Sequence, residues 1–301
     1  MQIIPEDIRL EAITTDPVSI PVFSSRQIQV EVLRLDKIHP LISGNKWFKL
    51  QYYLQQAIKE NKKRIITFGG AWSNHIIATA AACRLYQLPC TGLIRGEEPS
   101  SLSPVLTAAR EMGMELCFLS RTDYANDVIP AQFHHPDHLI LAAGGYGAEG
   151  AVGAADIFNY SKNKKTYTHI CCAAGTGTMM AGLLLGKEKQ QEVTGISVMR
   201  NNHSLENEMK ALLPDCPKEY SLHHDYHFGG YARYTKELIQ SMNDWFRQTG
   251  IPTDFVYTGK LVYAISDLAS KGYFPAGSKL LLIHSGGLTG NASLSKGTLI
   301  F

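Results

Sequence analysis

A lysine stands just inside a predicted helix, directly after a glycine turn. Residues 43–50 read SGNKWFKL, so Lys46 follows Gly44 and lies beside Trp47. Burial lowers the pKa of a lysine and frees its amine to form a Schiff base with an aldehyde. An exposed lysine at a helix start is the ordinary alternative, and Lys49, one turn later, is a rival for the same role. The motif alone leaves both open.

Residues 68–75, FGGAWSNH, run from a predicted strand through two glycines into a helix. Unpaired N–H groups at a helix start favour an anion, here a carboxylate or a phosphate. Ser73 and Asn74 add a hydroxyl and an amide to such a site. Ser73 as a simple N-cap is an equally good interpretation, because serine commonly has that role.

Residues 174–182, AGTGTMMAG, repeat the order of strand, glycine loop and helix. Such a loop lets backbone N–H groups surround a phosphate. A dinucleotide fingerprint needs glycine where Met180 stands, and the Gly-Lys-Ser/Thr ending of a Walker loop is absent. The loop therefore suits a bare phosphate group better than a nucleotide, with close strand–helix packing as the alternative.

Two segments nearer the C-terminus carry a hydroxyl group each. Residues 254–260 read DFVYTGK and residues 283–287 read IHSGG. Tyr257 could act as an acid–base or stacking group, and Ser285 directly follows a predicted buried strand. A core aromatic and a turn are the structural alternatives, and neither segment is specific alone.

The histidines do not show the spacing of a metal site. No HExxH motif occurs, and the densest cluster, His223, His224 and His227, is predicted to lie in a solvated loop. A GxSxG elbow is absent, so a serine hydrolase of that type has little support. We expect no metal centre.

The composition is typical of a soluble globular protein. Apolar residues make up 45% and charged residues 19%, and 29 basic against 27 acidic residues leave a net charge of +2. Without a basic block, nucleic-acid binding is disfavoured. Residues 1–11 are too charged for a signal peptide, and the uncharged run between Lys165 and Lys187 is broken by His169 and glycines, so no membrane span is predicted.

Cysteine usage indicates a reducing compartment. The six cysteines form no CxxC pair; they are Cys83, Cys90, Cys117, Cys171, Cys172 and Cys216. Residues 171 and 172 lie in an apolar run, where a cysteine behaves as a small core residue. A cytoplasmic location is the simplest interpretation.

Apolar runs of strand length alternate with helical patterns, which predicts parallel α/β units. Strands are predicted at 28–35, 64–68, 90–94, 115–119, 138–142, 167–172, 193–199 and 280–284, and helices at 45–58, 73–86, 102–112, from 178, 204–213, 235–248 and 260–269. Residues 120–137 lack periodicity. We expect two α/β lobes: a smaller one of residues 45–145 and a larger one of residues 1–44 and 146–301.

Taken in order and spacing, these segments resemble the D-cysteine desulfhydrase and 1-aminocyclopropane-1-carboxylate deaminase family of pyridoxal 5′-phosphate (PLP) enzymes. The resemblance extends from about residue 33 to 287. Its sharpest parts are Gly44-Asn45-Lys46, Gly69-Gly70 with Ser73-Asn74, and Tyr257 with Gly259-Lys260; the glycines of 144–153 also match. It implies a two-lobed fold type II PLP enzyme, similar to the tryptophan synthase β fold, with parallel-rich twisted sheets flanked by helices.

The resemblance also implies which residues hold the cofactor. Lys46 matches the lysine that binds PLP covalently, and Asn74 the asparagine that hydrogen-bonds the pyridoxal hydroxyl. The phosphate loop corresponds to Gly175, Thr176, Gly177 and Thr178. Ser285 stands where a hydroxyl, or in other members a leucine, faces the pyridine nitrogen.

Other matching positions belong to catalysis and to the substrate, a small amino acid. Lys46, Ser73 and Tyr257 are the implied catalytic residues. Ser73, Asn74, His75, Tyr257 and Thr258 are the implied substrate-binding residues. Family members are commonly homodimers, so the resemblance implies a homodimer.

Two positions bear on the reaction. Cyclopropane deaminases of this family have Glu after the tyrosine and Leu after the last histidine, whereas this chain has Thr258 and Ser285. A carboxylate near the ring nitrogen would favour its protonated form and strengthen the electron sink. A hydroxyl leaves the nitrogen neutral, which suffices for α-proton removal and β-elimination. We therefore expect a D-cysteine desulfhydrase-like lyase that forms pyruvate, ammonia and sulfide.

Two departures from the family pattern keep alternatives open. Residues 288–291 read LTGN where Pro-Ala-Leu is expected, and the phosphate loop is one residue longer than in close relatives. The nearest alternative is cyclopropane-carboxylate deamination to 2-oxobutyrate. A non-catalytic protein of the same fold that binds PLP or an amino acid is a second, and a nucleotide-binding oxidoreductase, disfavoured by Met180, a third.

Overall fold

The structure is a computed structural model that describes residues 4–213 and 220–301. Its strands are β1 (Thr15–Val18), β2 (Gln29–Arg34), β3 (Arg64–Gly69), β4 (Cys90–Arg95), β5 (Met114–Leu119), β6 (His138–Leu141), β7 (His169–Ala174), β8 (Glu192–Ser197), β9 (Tyr220–His223) and β10 (Lys279–His284). Its helices are α1 (Pro21–Ser24), α2 (Asn45–Lys59), α3 (Asn74–Leu85), α4 (Pro104–Glu111), α5 (Arg121–Ala125), α6 (Ala148–Ala155), α7 (Thr178–Gly186), α8 (Leu205–Leu212), α9 (Lys236–Thr249) and α10 (Thr258–Ser270). Short 3-10 helices cover Leu10–Ala12, Leu35–Lys37, Ala131–Phe133, Ala143–Gly145, Asp156–Tyr160, Lys164–Thr166 and Leu288–Ser293.

The strands form two sheets flanked by helices. One has the order β1-β2-β10-β7-β8-β9, in which only β1 is antiparallel to its neighbour; the other, β5-β4-β3-β6, is parallel throughout. The predicted parallel-rich α/β fold is therefore confirmed. The strands of the smaller sheet all lie between residues 64 and 141. The division into lobes of residues 45–145 and of residues 1–44 with 146–301 stays a prediction.

Four helices, α3, α4, α5 and α9, begin at a serine or threonine whose side chain caps them. The Ser73 hydroxyl accepts from the N–H groups of His75 and Ile76 at 3.2 and 3.3 Å. Ser103 caps α4 and Thr235 caps α9 in the same manner. Each side chain satisfies a backbone donor that has no partner within its helix.

Two strands and the short helices α1 and α5 were missed by the sequence patterns, and one prediction was wrong in part. The strands β1 and β9 are only four residues long, too short to show a period. His223 ends β9, and it and His224 are half-buried, with His224 Nε2 3.0 Å from Glu206 Oε1. The cluster is thus half-buried and not fully solvated, with His223 in a strand and His224 and His227 in the loop that follows. Cys216 lies outside the described residues. Among the described residues, no helix is both long enough and apolar enough to cross a membrane.

Glycines bring α6 and α7 into close contact. A Cβ atom added to Gly182 would lie 2.4 Å from the Ala151 carbonyl oxygen and 2.5 Å from the Ala154 Cβ. Gly153 likewise lies against α2, where an added Cβ would be 1.9 Å from the Phe48 carbonyl oxygen. The glycines of 144–153 therefore serve helix packing at least in part.

We expect Gly182→Ala to lower the free energy of unfolding by about 1–3 kcal/mol, because the new methyl overlaps backbone on α6. Urea denaturation measures this change. Leu185→Ala on the same helix is the control: Leu185 is 50% exposed, so its truncation should change stability by less than about 0.5 kcal/mol. Equal stabilities for Gly182→Ala and the parent would contradict the packing argument.

Parallel order also collects the predicted motifs at one place. The strands β3, β7 and β10 end at Gly69, Ala174 and His284, directly before the three glycine-containing segments. In open α/β sheets ligands bind outside the carboxyl ends of parallel strands.

Candidate active site

A cavity of about 660 Å³ opens at the carboxyl ends of strands from both sheets. Nine of the predicted site residues line it: Lys46, Ser73, Asn74, His75, Gly175, Thr176, Gly177, Tyr257 and Ser285. Thr178 and Thr258 do not line it. The segments that stand far apart in the chain thus meet around one space large enough for a cofactor and a small substrate.

The start of α2 is pressed against the loop after β10. Gly44 has φ +65°, and a Cβ atom there would lie 1.8 Å from the Ser285 carbonyl oxygen. The Asn45 N–H donates to that same oxygen at 3.2 Å. Only glycine permits this approach, which brings Lys46 and Ser285 to the same cavity wall.

Lys46 has the properties that amine chemistry requires. Its Nζ donates to Asn45 Oδ1 at 3.1 Å and lies 5.9 Å from the centroid of the Tyr257 ring. Burial lowers the pKa of Lys46 to about 8, although the Asp254 carboxylate opposes the shift. At pH 7 about a tenth of these amines would be neutral, far more than for a solvated lysine.

Lys49 also lines the cavity and is only 4% exposed. Its Nζ donates to the Gly144 carbonyl oxygen at 3.2 Å. Burial, and then the charge of Lys46, hold the pKa of Lys49 well below its usual value. Two amines therefore face one cavity, and Lys49 could hold an anionic group there.

The glycine loop before α7 can receive an anion. Gly177 has φ +74° and is the N-cap of α7, and no side chain caps that helix start. Its first N–H groups therefore have no intrahelical acceptor. A Cβ atom at Gly175 would lie 3.2 Å from Tyr257 Cε1, so a larger residue would narrow this side of the cavity. Thr178 reaches the loop indirectly, since its Oγ1 lies 3.0 Å from Thr176 Oγ1.

Ser73 is the N-cap of α3 and also a cavity residue, so both interpretations of it hold. The amide of Asn74 is oriented by the loop that departs from the family pattern. Thr289 Oγ1 donates to Asn74 Oδ1 at 2.9 Å, and Asn74 Nδ2 lies 3.5 Å from the Gly287 carbonyl oxygen.

The His75 side chain is a neutral imidazole that donates through Nε2 and leaves Nδ1 as an acceptor. Thr67 donates its hydroxyl proton to the Leu141 carbonyl oxygen, so His75 Nε2, 2.8 Å from Thr67 Oγ1, must be the donor of that pair. The other ring nitrogen, Nδ1, has no hydrogen-bond partner among the described residues. Burial, followed by the charges of Lys46 and Lys49, places the pKa of His75 well below its usual value.

Tyr257 is a phenol that keeps its proton. Burial and the neighbouring Tyr231 raise the pKa of Tyr257 well above its usual value, and the Asp254 carboxylate adds to the shift. The two tyrosine rings lie 6.2 Å apart, edge to face. Tyr257 can therefore donate a hydrogen bond or a proton but is not a base at neutral pH. Tyr231 lines the cavity too and was missed by the sequence patterns.

Asp254 is the principal residue that sequence reasoning left without a role. It is fully buried, and its carboxylate accepts from the N–H groups of Val256, Tyr257 and Thr258, each at 2.9 Å. It also accepts the Thr258 hydroxyl proton at 2.7 Å. Thr258 is thus turned toward Asp254, behind the cavity wall, and not toward a substrate. An Asp placed two to four residues before a helix start was the available signal.

The loop that carries Ser285 is held by close polar contacts of His284 beneath it. His284 Nε2 lies 2.7 Å from the Pro252 carbonyl oxygen, and its Nδ1 lies 3.2 Å from Asp36 Oδ1. Arg34 binds both oxygens of Asp36, at 2.8 and 2.6 Å. Ser285 follows directly and is 8% exposed. This arrangement gives the serine a defined position.

Comparison with known proteins identifies the class. Residues 11–286 match the family described as pyridoxal-phosphate dependent enzyme. A protein of Pyrococcus horikoshii named "Putative 1-aminocyclopropane-1-carboxylate deaminase" is 30% identical over 291 residues, covering 88% of this chain and 87% of the relative. D-cysteine desulfhydrase of Yersinia enterocolitica is 26% identical over 284 residues, covering 85% and 86%.

A solved structure shows the same fold. A crystal structure described as an ACC deaminase homologue, where ACC stands for 1-aminocyclopropane-1-carboxylate, superposes with a TM-score of 0.78 at 29% identity. The match covers 95% of this chain and 94% of the other. The chain belongs to the pyridoxal-phosphate dependent enzyme family. It is a fold type II PLP enzyme of the group that includes ACC deaminase and D-cysteine desulfhydrase homologues, which confirms the fold, the cofactor and the family expected from the motifs.

The cavity fits PLP on its own chemistry. It offers a low-pKa amine for an aldehyde and an uncapped helix start for a phosphate. An unpartnered acceptor, His75 Nδ1, remains for a polar group of the ligand. Aldehyde, phosphate, hydroxyl and the pyridine nitrogen are the polar groups that PLP carries.

We expect the reactivity of Lys46 in the cofactor-free protein to rise as pH rises through about 8, because only the neutral amine attacks an acylating reagent. Competitive labelling with acetic anhydride, read by peptide mass spectrometry, gives the profile. A short lysine peptide, with the ordinary pKa of 10.5, is the reference. A Lys46 profile that follows the peptide would contradict the desolvated amine.

Proposed function

We propose that this enzyme removes the β-substituent of a small amino acid, with D-cysteine as the first candidate substrate. Water adds overall, and the products are pyruvate, ammonia and sulfide. The observation that carries the proposal is Ser285: a hydroxyl, and not the leucine of the cyclopropane deaminases, lines the cavity directly after β10. It suits a cofactor ring whose nitrogen stays neutral, which suffices for β-elimination.

Bound PLP would supply the electron withdrawal that weakens the bonds at the substrate α-carbon. Lys46 is the residue proposed to hold it, with its phosphate at residues 175–178. The N–H groups at the start of α7 and the Nζ hydrogens of Lys49 would bind that phosphate. Asn74, oriented by Thr289, would hydrogen-bond the pyridoxal hydroxyl.

Proton transfer is assigned to two groups with opposite properties. The Lys46 amine, with a pKa of about 8, can take the α-proton once the substrate has displaced it. The Tyr257 hydroxyl, protonated at neutral pH, can donate toward the departing group. Tyr257 therefore has the protonation state that a proton donor needs, and the lowered pKa of Lys46 makes the neutral form that a base needs accessible near neutral pH.

Substrate binding is assigned to the start of α3. The hydroxyl of Ser73, which can still donate its proton, and the backbone N–H of Asn74 at that helix start favour a carboxylate. His75 contributes to the wall as a neutral ring. Thr258 is proposed to act through Asp254, because its hydroxyl is bonded to that carboxylate.

A second candidate is deamination of 1-aminocyclopropane-1-carboxylate to 2-oxobutyrate. The relatives from Pyrococcus and the solved homologue carry that name, and the family match alone does not separate the two reactions. The homodimeric state and the cytoplasmic location stay predictions.

Cofactor attachment is tested by borohydride reduction. The purified protein should be yellow, and reduction should leave a stable adduct on the peptide that carries Lys46. Lys46→Ala should abolish the adduct, while Lys49→Ala should keep it and weaken PLP binding. An adduct that survives Lys46→Ala and disappears in Lys49→Ala would reverse the assignment.

The substrate is tested by side-by-side assays. We expect pyruvate and sulfide from D-cysteine with a kcat/KM at least about tenfold above that for 2-oxobutyrate release from the cyclopropane amino acid, since a tenfold ratio needs only about 1.4 kcal/mol. L-cysteine is the stereochemical control. A clear preference for the cyclopropane substrate would refute the argument from Ser285.

A further inference from the structure

Lys260 is a buried cation that the proposed chemistry does not use. It lies on the first turn of α10 and its side chain is fully buried. Its Nζ donates to three backbone carbonyl oxygens: Val198 at 3.2 Å, His227 at 2.8 Å and Gly230 at 2.7 Å. All three N–H donors of the ammonium therefore have an acceptor.

These carbonyls belong to two separate parts of the fold. Val198 directly follows β8 of the larger sheet, whereas His227 and Gly230 belong to residues 224–234, the loop between β9 and α9. We call these residues the 224–234 loop. Tyr231 and Ala232 of the loop line the cavity. The ammonium group of Lys260 thus connects the end of strand β8 with a wall of the cavity.

Four residues of the 224–234 loop have positive φ angles, and contacts from outside the loop stabilise such a backbone. Phe228 and Ala232, neither of them glycine, have φ of +49° and +52°, and Gly229 and Gly230 have φ of +94° and +119°. Positive φ is unfavourable for residues with a side chain, and the cost persists only where surrounding contacts hold the conformation. Lys260 supplies two such contacts, one on each side of Gly229.

The charge state of Lys260 suits this role. Burial lowers the pKa of Lys260 to about 8, and the Asp254 carboxylate opposes the shift, so the ammonium form predominates at pH 7. Three converging carbonyl oxygens also resemble the way backbone carbonyls replace the hydration shell of potassium in a channel filter.

We propose that the ammonium group of Lys260 acts as a built-in cation that holds the 224–234 loop against the end of β8. In this way it positions Tyr231, which lines the cavity. Lys260 is a positioning residue, because its amine contacts backbone oxygens and not the cavity. The role does not depend on which substrate the enzyme uses.

Limited proteolysis of the PLP-bound protein tests the proposal without an activity assay. Arg233 is exposed in the loop, so trypsin reports loop opening at that bond. We expect Lys260→Met to raise the rate of cleavage after Arg233 by about tenfold or more, the factor that corresponds to losing one charged hydrogen bond. Lys271→Met, which removes an exposed lysine paired with Asp267, is the matched control and should cleave like the parent.

Cation rescue tests the charge. In Lys260→Ala the vacated site should accept ammonium or potassium, so either salt should slow cleavage after Arg233 toward the parent rate, and lithium chloride of equal ionic strength should not. Parent-like cleavage of Lys260→Met would overturn the positioning role. Equal protection from cleavage by all three salts, or by none, would contradict the proposal that the positive charge at residue 260 holds the loop.

Folding of the variants is measured by circular dichroism. If Lys260→Met does not fold, the refolding of Lys260→Ala is compared in ammonium chloride and in lithium chloride. Recovery of the folded state in ammonium chloride alone supports the proposal. Recovery in both salts, or in neither, contradicts it. With the preferred substrate, Lys260→Met should raise KM more than it lowers kcat, because a displaced wall weakens binding first.

Discussion

The site depends on the contact between Gly44 and the loop after β10. A side chain at residue 44 would overlap the Ser285 carbonyl oxygen, and the same oxygen accepts from Asn45. This approach sets the direction in which α2 enters the structure and thereby where Lys46 projects. Without it, an amine near the start of the chain could not share a wall with a serine near its end.

Behind that wall a single carboxylate organises the charges. Asp254 caps α10 through three backbone N–H groups and the Thr258 hydroxyl. Its charge raises the pKa of Lys46 and of Lys260 against the effect of burial, and it raises that of Tyr257 further. One buried acid therefore influences the amine proposed as base, the phenol proposed as donor and the cation proposed to hold the loop.

The positions that distinguish the two proposed reactions differ in how directly they act. Ser285 lines the cavity, whereas Thr258 is committed to Asp254. The unusual residues after Gly287 have a structural role, since Thr289 orients Asn74 and Asn291 bonds to the Thr253 carbonyl oxygen. The departure from the family pattern at this loop therefore maintains the site and does not remove it.

Local chemistry alone determined much of the fold and the motifs. The segments with clear periods, such as residues 45–58 and 280–284, were predicted nearly to the residue, because hydrophobic spacing and caps act within a few residues. The strands β1 and β9 were missed, since four residues show no period. In the structure, the glycine segments follow the carboxyl ends of β3, β7 and β10 and meet around the cavity. Only the tertiary structure decided the burial of Lys46, Lys49 and Lys260, because desolvation depends on groups that lie tens to hundreds of residues away along the chain. The contact between Thr258 and Asp254 spans only four residues, and an Asp before a helix start was the local signal for it.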